Sequence, residues 1–185
     1  MKQVIRFKTR DVAFQFRMGA GFAGDVNRTH PAEIEPALIR AATPPTAYGQ
    51  IVVVGTGNAV RPLAVADASD AVELTPFGMT VRPYPAQQSS ASNYGAAALG
   101  ASTPPTTGTI DVCRAGLVLA QLNAGVTAPV KGGRVYVWCA ATAGDHIQGG
   151  LETEASAGNT VELDSRYTYN GPADASGIVE VSCNV

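Results

Sequence analysis

Period-two alternation runs through most of the chain, and it predicts strands almost from end to end. Near the N-terminus Ile5 and Phe7 alternate with Arg6 and Lys8, then Val12, Phe14 and Phe16 with Ala13 and Gln15. Gln50 to Gly55 is a short apolar run suited to a buried strand. Gly57-Asn58 supplies turn chemistry before the next strand-like stretch, Ala59 to Ala66. Val72 to Leu74 and Met79 to Tyr84 read as short strands. Ile110 to Gly116 alternates and runs into the apolar stretch Leu117 to Leu122. Arg134 to Thr142 carries the strongest strand pattern of all. Val161 to Leu163 and Arg166 to Tyr169 follow, and Ile178 to Val185 alternates to the last residue. Apolar residues at helical spacing are almost absent. The pattern predicts an all-β fold, an antiparallel β-sandwich or barrel of short strands.

Two stretches interrupt it. Residues 17–46 are rich in Gly, Pro, Ala and Asn and read as an extended arm or long loop. With the strands before it, this makes an N-terminal region of residues 1–46, ahead of a β-rich core at 47–185. Residues 85–109 form a polar, small-residue loop, of a length usually tied to function.

Charge sharpens the picture. Charged residues are only 15% of the chain, against about 25% in typical globular domains. The deficit is concentrated: residues 41–60, 83–110 and 115–130 contain no Asp, Glu, Lys or Arg. Free-standing proteins usually keep a charged surface, so these runs suggest surface that a partner covers. The formal net charge is −2 and no basic stripe exists, which argues against nucleic acid as a partner. No 18-residue apolar run or apolar leader is present, so no membrane partner is expected. Cys113, Cys139 and Cys183 lie in strand-like runs without C-x-x-C spacing. They read as small buried hydrophobes in a protein made in a reducing cytoplasm.

Motifs that would carry chemistry fail on inspection. Gly19, Gly21 and Gly24 form a G-x-G-x-x-G match, but a dinucleotide site needs a helix directly after it. Here Pro31 and Pro36 break any helix, and the acidic residue expected about 20 positions on is missing. His30 and His146 each lack a second histidine at ligand spacing. Asp145-His146 with Glu152 and Glu154 reads as a solvated face rather than a metal site. No G-x-S-x-G elbow occurs. The expectation is no catalytic residue, no cofactor, no metal, and no enzymatic activity.

Several segments resemble the head decoration proteins of tailed bacteriophages, the structural cement proteins. One is Gly21-Phe-Ala-Gly-Asp-Val-Asn-Arg28, continuing to Ile34-Glu35-Pro36. Another is Tyr169-Asn-Gly-Pro-Ala-Asp-Ala-Ser-Gly-Ile-Val-Glu-Val181, closing at Asn184-Val185. Gly132-Gly133-Arg134-Val135-Tyr136-Val137 and Gly149-Gly150-Leu151-Glu152 add to the likeness. The resemblance implies a β-rich module on the outer surface of the virion head, made in the host cytoplasm. It would bridge neighbouring copies of the major capsid protein, stabilise the shell and act as a homodimer or homotrimer, with its N-terminal arm reaching over the capsid. On this reading Phe22, Val26, Ile34, Leu38 and Ile39 are the apolar anchors of the arm. Asp25, Arg28, Glu33 and Glu35 set its register. The competing arrangement is an arm folded back on its own barrel. A different function is a virion-displayed β-sandwich that binds carbohydrate or a receptor through Tyr136, Trp138, Tyr167 and Tyr169.

Overall fold

The computed structural model describes residues 21–27, 30–65, 76–83 and 103–184. The strands expected at 3–16 and 72–74, and most of the loop expected at 85–109, lie outside them. The described residues are all-β. The strands are β1 (Glu33–Ile39), β2 (Ile51–Val54), β3 (Ala59–Pro62), β4 (Gly78–Val81) and β5 (Thr109–Gln121), then β6 (Tyr136–Trp138), β7 (Leu151–Glu152), β8 (Thr160–Glu162), β9 (Tyr167–Tyr169) and β10 (Ile178–Asn184). Seven of them make one sheet in the order β1-β3-β2-β4-β5-β10-β9, and β7-β6-β8 make a second.

The large sheet closes on itself. Strand β1 pairs with β3 through Leu38↔Ala59 and Ile39↔Val60. Along its other edge it pairs with β5, from Leu38↔Thr109 to Glu33↔Ala115. With β3–β2, β2–β4 and β4–β5 already paired, strands β1, β3, β2, β4 and β5 form a closed ring. Closure removes most of the free edge that an open sheet would expose. The expected ladders were antiparallel, and all the named pairs are, except that β1 and β3 run parallel. A parallel neighbour requires a crossover rather than a tight turn, and the chain supplies one by passing through β2 between them.

Alternation along these strands feeds two cores. Ala37 and Ile39 of β1, Val52 of β2, Val60 of β3, and Ile110 and Val112 of β5 cluster with Tyr48 inside the ring. The neighbours of opposite parity, Ile51, Val53, Met79, Val81 and Cys113, join a larger cluster. That cluster adds Val135 and Val137, Tyr167 and Tyr169, and Val179, Val181 and Cys183, so it is the layer between the ring and the rest of the molecule. Burying each Val or Ile fully is worth about 1.5–3 kcal/mol, and both faces of the ring strands draw on it.

Strand β5 links the two regions. Its first half pairs with β1 and β4, and its second half pairs with β10 from Ala115↔Asn184 to Gln121↔Ile178. The changeover falls at Gly116, whose φ of 139° disfavours any side chain and where a Cβ would crowd the Ala32 Cβ at 3.0 Å. The strongest strand signal, Arg134 to Thr142, yields only the three residues of β6. That segment stays extended but changes partners. Arg134 bridges to Thr168 of β9, Tyr136 to Trp138 pair with β7 and β8, and Cys139 N–H already donates to the Asn159 carbonyl.

Candidate functional site

The N-terminal segment expected to reach outward is held against its own domain wherever it is described. Gly24 N–H donates to the Leu119 carbonyl (2.6 Å), and Val26 forms an isolated bridge with Val118. Gly24 has φ 86°, and a Cβ on it would lie 2.5 Å from the Tyr48 Cβ. This glycine of the G-x-G-x-x-G match therefore serves a close backbone crossing, and no helix follows it. Gly19 lies outside the described residues.

Arg82 organises this crossing. Its backbone N–H donates to the Gly24 carbonyl (2.9 Å) and its Nε to the Ala23 carbonyl (2.8 Å). The guanidinium lies 5.4 Å from the Phe22 ring centre and 5.3 Å from that of Tyr48, and 3.9 Å from the Asp25 carboxylate. Cation–π contacts of this kind contribute about 0.5–1 kcal/mol each where exposed. Asp25 also accepts the Phe22 N–H (3.0 Å). Burial raises the pKa of Tyr48 above the ordinary phenol value; Arg82 opposes this and Asp111 adds to it. The sequence pattern placed Arg82 only within the strand-like stretch Met79 to Tyr84. Its signal was isolation, since no other cation occurs between Arg61 and Arg114.

Strand β1 shows two faces. Ala37 and Ile39 point into the ring, with Ile39 only 4% exposed. Ile34 and Leu38 alternate with them and remain 46% and 53% exposed. Glu33, Glu35 and Pro36 are exposed as well. Pairing with β3 covers only Leu38 and Ile39, so among the described residues one edge of β1 over 33–36 has no strand partner. At the end of that row Glu35 pairs with Arg114 (3.3 Å), whose guanidinium stacks 4.2 Å above the centre of the Phe77 ring.

The eight expected contact residues thus separate. Phe22 (42% exposed), Ile34 and Leu38 offer apolar surface, and Asp25 and Glu35 hold ion pairs beside it. Val26 packs against the large core and Ile39 lies inside the ring. These two are structural residues in this fold, because the period of two sends every second side chain inward. Arg28 lies outside the described residues.

The aromatic set expected to face a sugar does not assemble. Tyr167 and Tyr169 are buried in the large core, and burial drives both hydroxyls well above the ordinary phenol range. Tyr169 Oη donates to the Glu152 carbonyl (2.7 Å). Trp138 is buried and stacks on His146, with ring centres 4.3 Å apart. His146 Nδ1 lies 2.7 Å from Glu152 Oε1, which also accepts from Asn123 Nδ2 (2.6 Å). That cluster pins the 139–150 segment. No group of three or more metal-capable side chains occurs among the described residues. The three cysteines are free and buried. Desolvation raises the Cys113 thiol to about 11 and carries Cys183 beyond it, so neither is a nucleophile at neutral pH. Among the described residues no helix is long and apolar enough to cross a membrane.

A chain in a solved structure of the capsid of Myoviridae phage XM1 superposes with a TM-score of 0.64, covering 91% of this chain and 92% of that one, at 14% sequence identity. The sequence goes further: the model of the XM1 gp53 minor capsid protein family matches residues 12–183, and the protein belongs to that family. No curated protein matches the chain. Family membership gives it a structural, capsid-associated role in the virion and implies a non-enzymatic one.

Proposed function

We propose that the protein is a decoration or cement subunit. It binds the outer surface of the phage head, bridges neighbouring major capsid subunits and stabilises the shell, and it works as a homodimer or homotrimer. The observation that carries this reading is the outer row of β1. Ile34 and Leu38 stand exposed on a strand whose inner row already closes the core. The fold does not need them apolar. A partner surface does, and the unpaired edge at 33–36 beside them suits addition of an extended segment through main-chain hydrogen bonds. Pro36 on that strand lacks an N–H, which discourages indiscriminate pairing with other edges.

Attachment rests on clamped surface more than on a free-swinging arm. Ordering a mobile arm would cost about 1–2 kcal/mol per residue. Here residues 22–27 are already fixed by Arg82, Leu119 and Val118, so for these residues that cost is met on folding. Weak contacts repeated over a lattice then gain from multivalency. Co-sedimentation with empty expanded heads tests the reading. Saturable binding to heads with little affinity for unassembled capsid protein is expected. Equal binding to the unassembled protein would refute the cement role.

A further inference from the structure

Glu180, in β10, holds two asparagine side chains at once. Its Oε2 accepts from Asn27 Nδ2 at 2.8 Å, and its Oε1 accepts from Asn170 Nδ2. The Asn170 N–H also donates to the Glu180 carbonyl at 2.8 Å. Asn27 ends the described N-terminal segment that runs along β5, its own N–H donating to the Leu117 carbonyl at 2.9 Å. Asn170 follows directly on β9. One carboxylate thus ties residues 22–27 to the start of the connection between β9 and β10. Both ties run through neutral amides, so each depends on an N–H that a carboxylate in the same place could not supply.

One of these amides is chemically vulnerable. Asn170 is the one asparagine of the chain that precedes a glycine. Gly171 has no side chain to hinder the approach of its nitrogen to the neighbouring Cγ. A Cβ built on it would meet nothing within 4 Å, so there is space for a ring to close. Among the described residues its N–H makes no hydrogen bond that would have to break first. Asn170 and Gly171 are both half-buried and lie in an irregular connection, outside any strand ladder.

We propose that Asn170 is a self-modification site, and that its conversion releases the N-terminal segment. The Gly171 nitrogen attacks Asn170 Cγ. The N–Cγ bond forms, the Cγ–Nδ2 bond breaks, and the Gly171 proton departs with Nδ2 as ammonia. The cyclic imide then takes up a water at either carbonyl. It opens to aspartate or, with the main chain rerouted through Cγ, to isoaspartate. Either product sets a negative charge against Glu180 where a donor stood. The Glu180 carboxylate is driven away, and its hold on Asn27 is lost with it. The chemistry needs only this chain and water. Its consequence for head binding, through looser residues 22–27, is the one part that rests on the capsid reading.

The test is peptide mapping by mass spectrometry of the folded protein held at mildly alkaline pH, beside the same chain unfolded in denaturant. Conversion is expected at Asn170 ahead of every other asparagine, with isoaspartate among the products. Gly171→Ala should lose it. That variant should fold, because Gly171 is not at positive φ and a Cβ there has open space. An Asn170 amide that persists in the folded protein, while the unfolded chain converts, would overturn the proposal. The release is read by NMR on Asn170→Asp. Its Asn27 side-chain amide resonance should move toward the solvent-exposed position, and its melting temperature should fall. An unmoved Asn27 resonance would overturn the release. Should Asn170→Asp not fold, aged wild-type protein gives the same spectrum. None of these measurements uses phage heads, so a failure here and a failure of the cement reading are distinguishable.

Discussion

Strands β1 and β10 are both seven residues long, and both lie along β5. Strand β10 has β9 on its far side and spends every apolar residue internally: Ile178, Val179, Val181 and Cys183 are all buried. Strand β1 closes the ring with Ala37 and Ile39, yet keeps Ile34 and Leu38 outside. The same alternation serves one purpose in β10 and two in β1. A single exposed apolar residue means little. Two on one ring-closing strand, flanked by glutamates and one unpaired edge, are what the proposed attachment rests on.

The comparison can be broken by substitution. The largest effect is expected from Val181→Asp in β10, which places an unpaired charge in the large core. It should prevent folding or cost more than about 4 kcal/mol, read as loss of the near-UV signal and of cooperative melting. Next, Ile39→Ala should cost about 2–5 kcal/mol in chemical denaturation. Leu38→Ala, one residue away on the same strand, should fall within about 0.5 kcal/mol of wild type. Equal costs for the two would erase the distinction between the faces. Gly24→Ala should destabilise by about 1–3 kcal/mol, through the 2.5 Å approach to Tyr48 and the positive φ.

The smallest effect concerns acid. Arg166 donates to Asp164 from Nε (2.8 Å) and Nη2 (2.5 Å), and this holds the Asp164 carboxyl below its usual range. A carboxyl depressed in the folded state adds stability above its unfolded value, near pH 4, and loses it as pH falls through the lower folded value. The pair is well exposed, so the effect is small. Asp164→Asn should flatten the acid limb of the melting-temperature profile slightly and leave neutral pH almost unchanged.

Much of this architecture could be read from residue patterns. The alternation at Ile110 to Gly116 with the apolar run Leu117 to Leu122 became β5, the alternation from Ile178 became β10 as far as Asn184, and Gly57-Asn58 became the turn between β2 and β3, with both residues at positive φ. The hidden part was long-range. Glu33 to Ile39 lies within a stretch whose Gly, Pro, Ala and Asn content argued for an arm, and nothing local reveals that β3 and β5 flank it. The partner change along Arg134 to Thr142 is hidden for the same reason. Of the expected contact residues, Phe22, Ile34 and Leu38 are exposed whereas Val26 and Ile39 are packed inward, a division that residue type does not give and strand register does.

The central claim is that the outer row of β1 is attachment surface. The direct measurement is head occupancy of the double variant Ile34→Asp, Leu38→Asp, compared with wild type by co-sedimentation on empty heads. The account predicts an unchanged far-UV spectrum and melting temperature, with occupancy reduced at least about tenfold. Wild-type occupancy by a correctly folded double variant would contradict it.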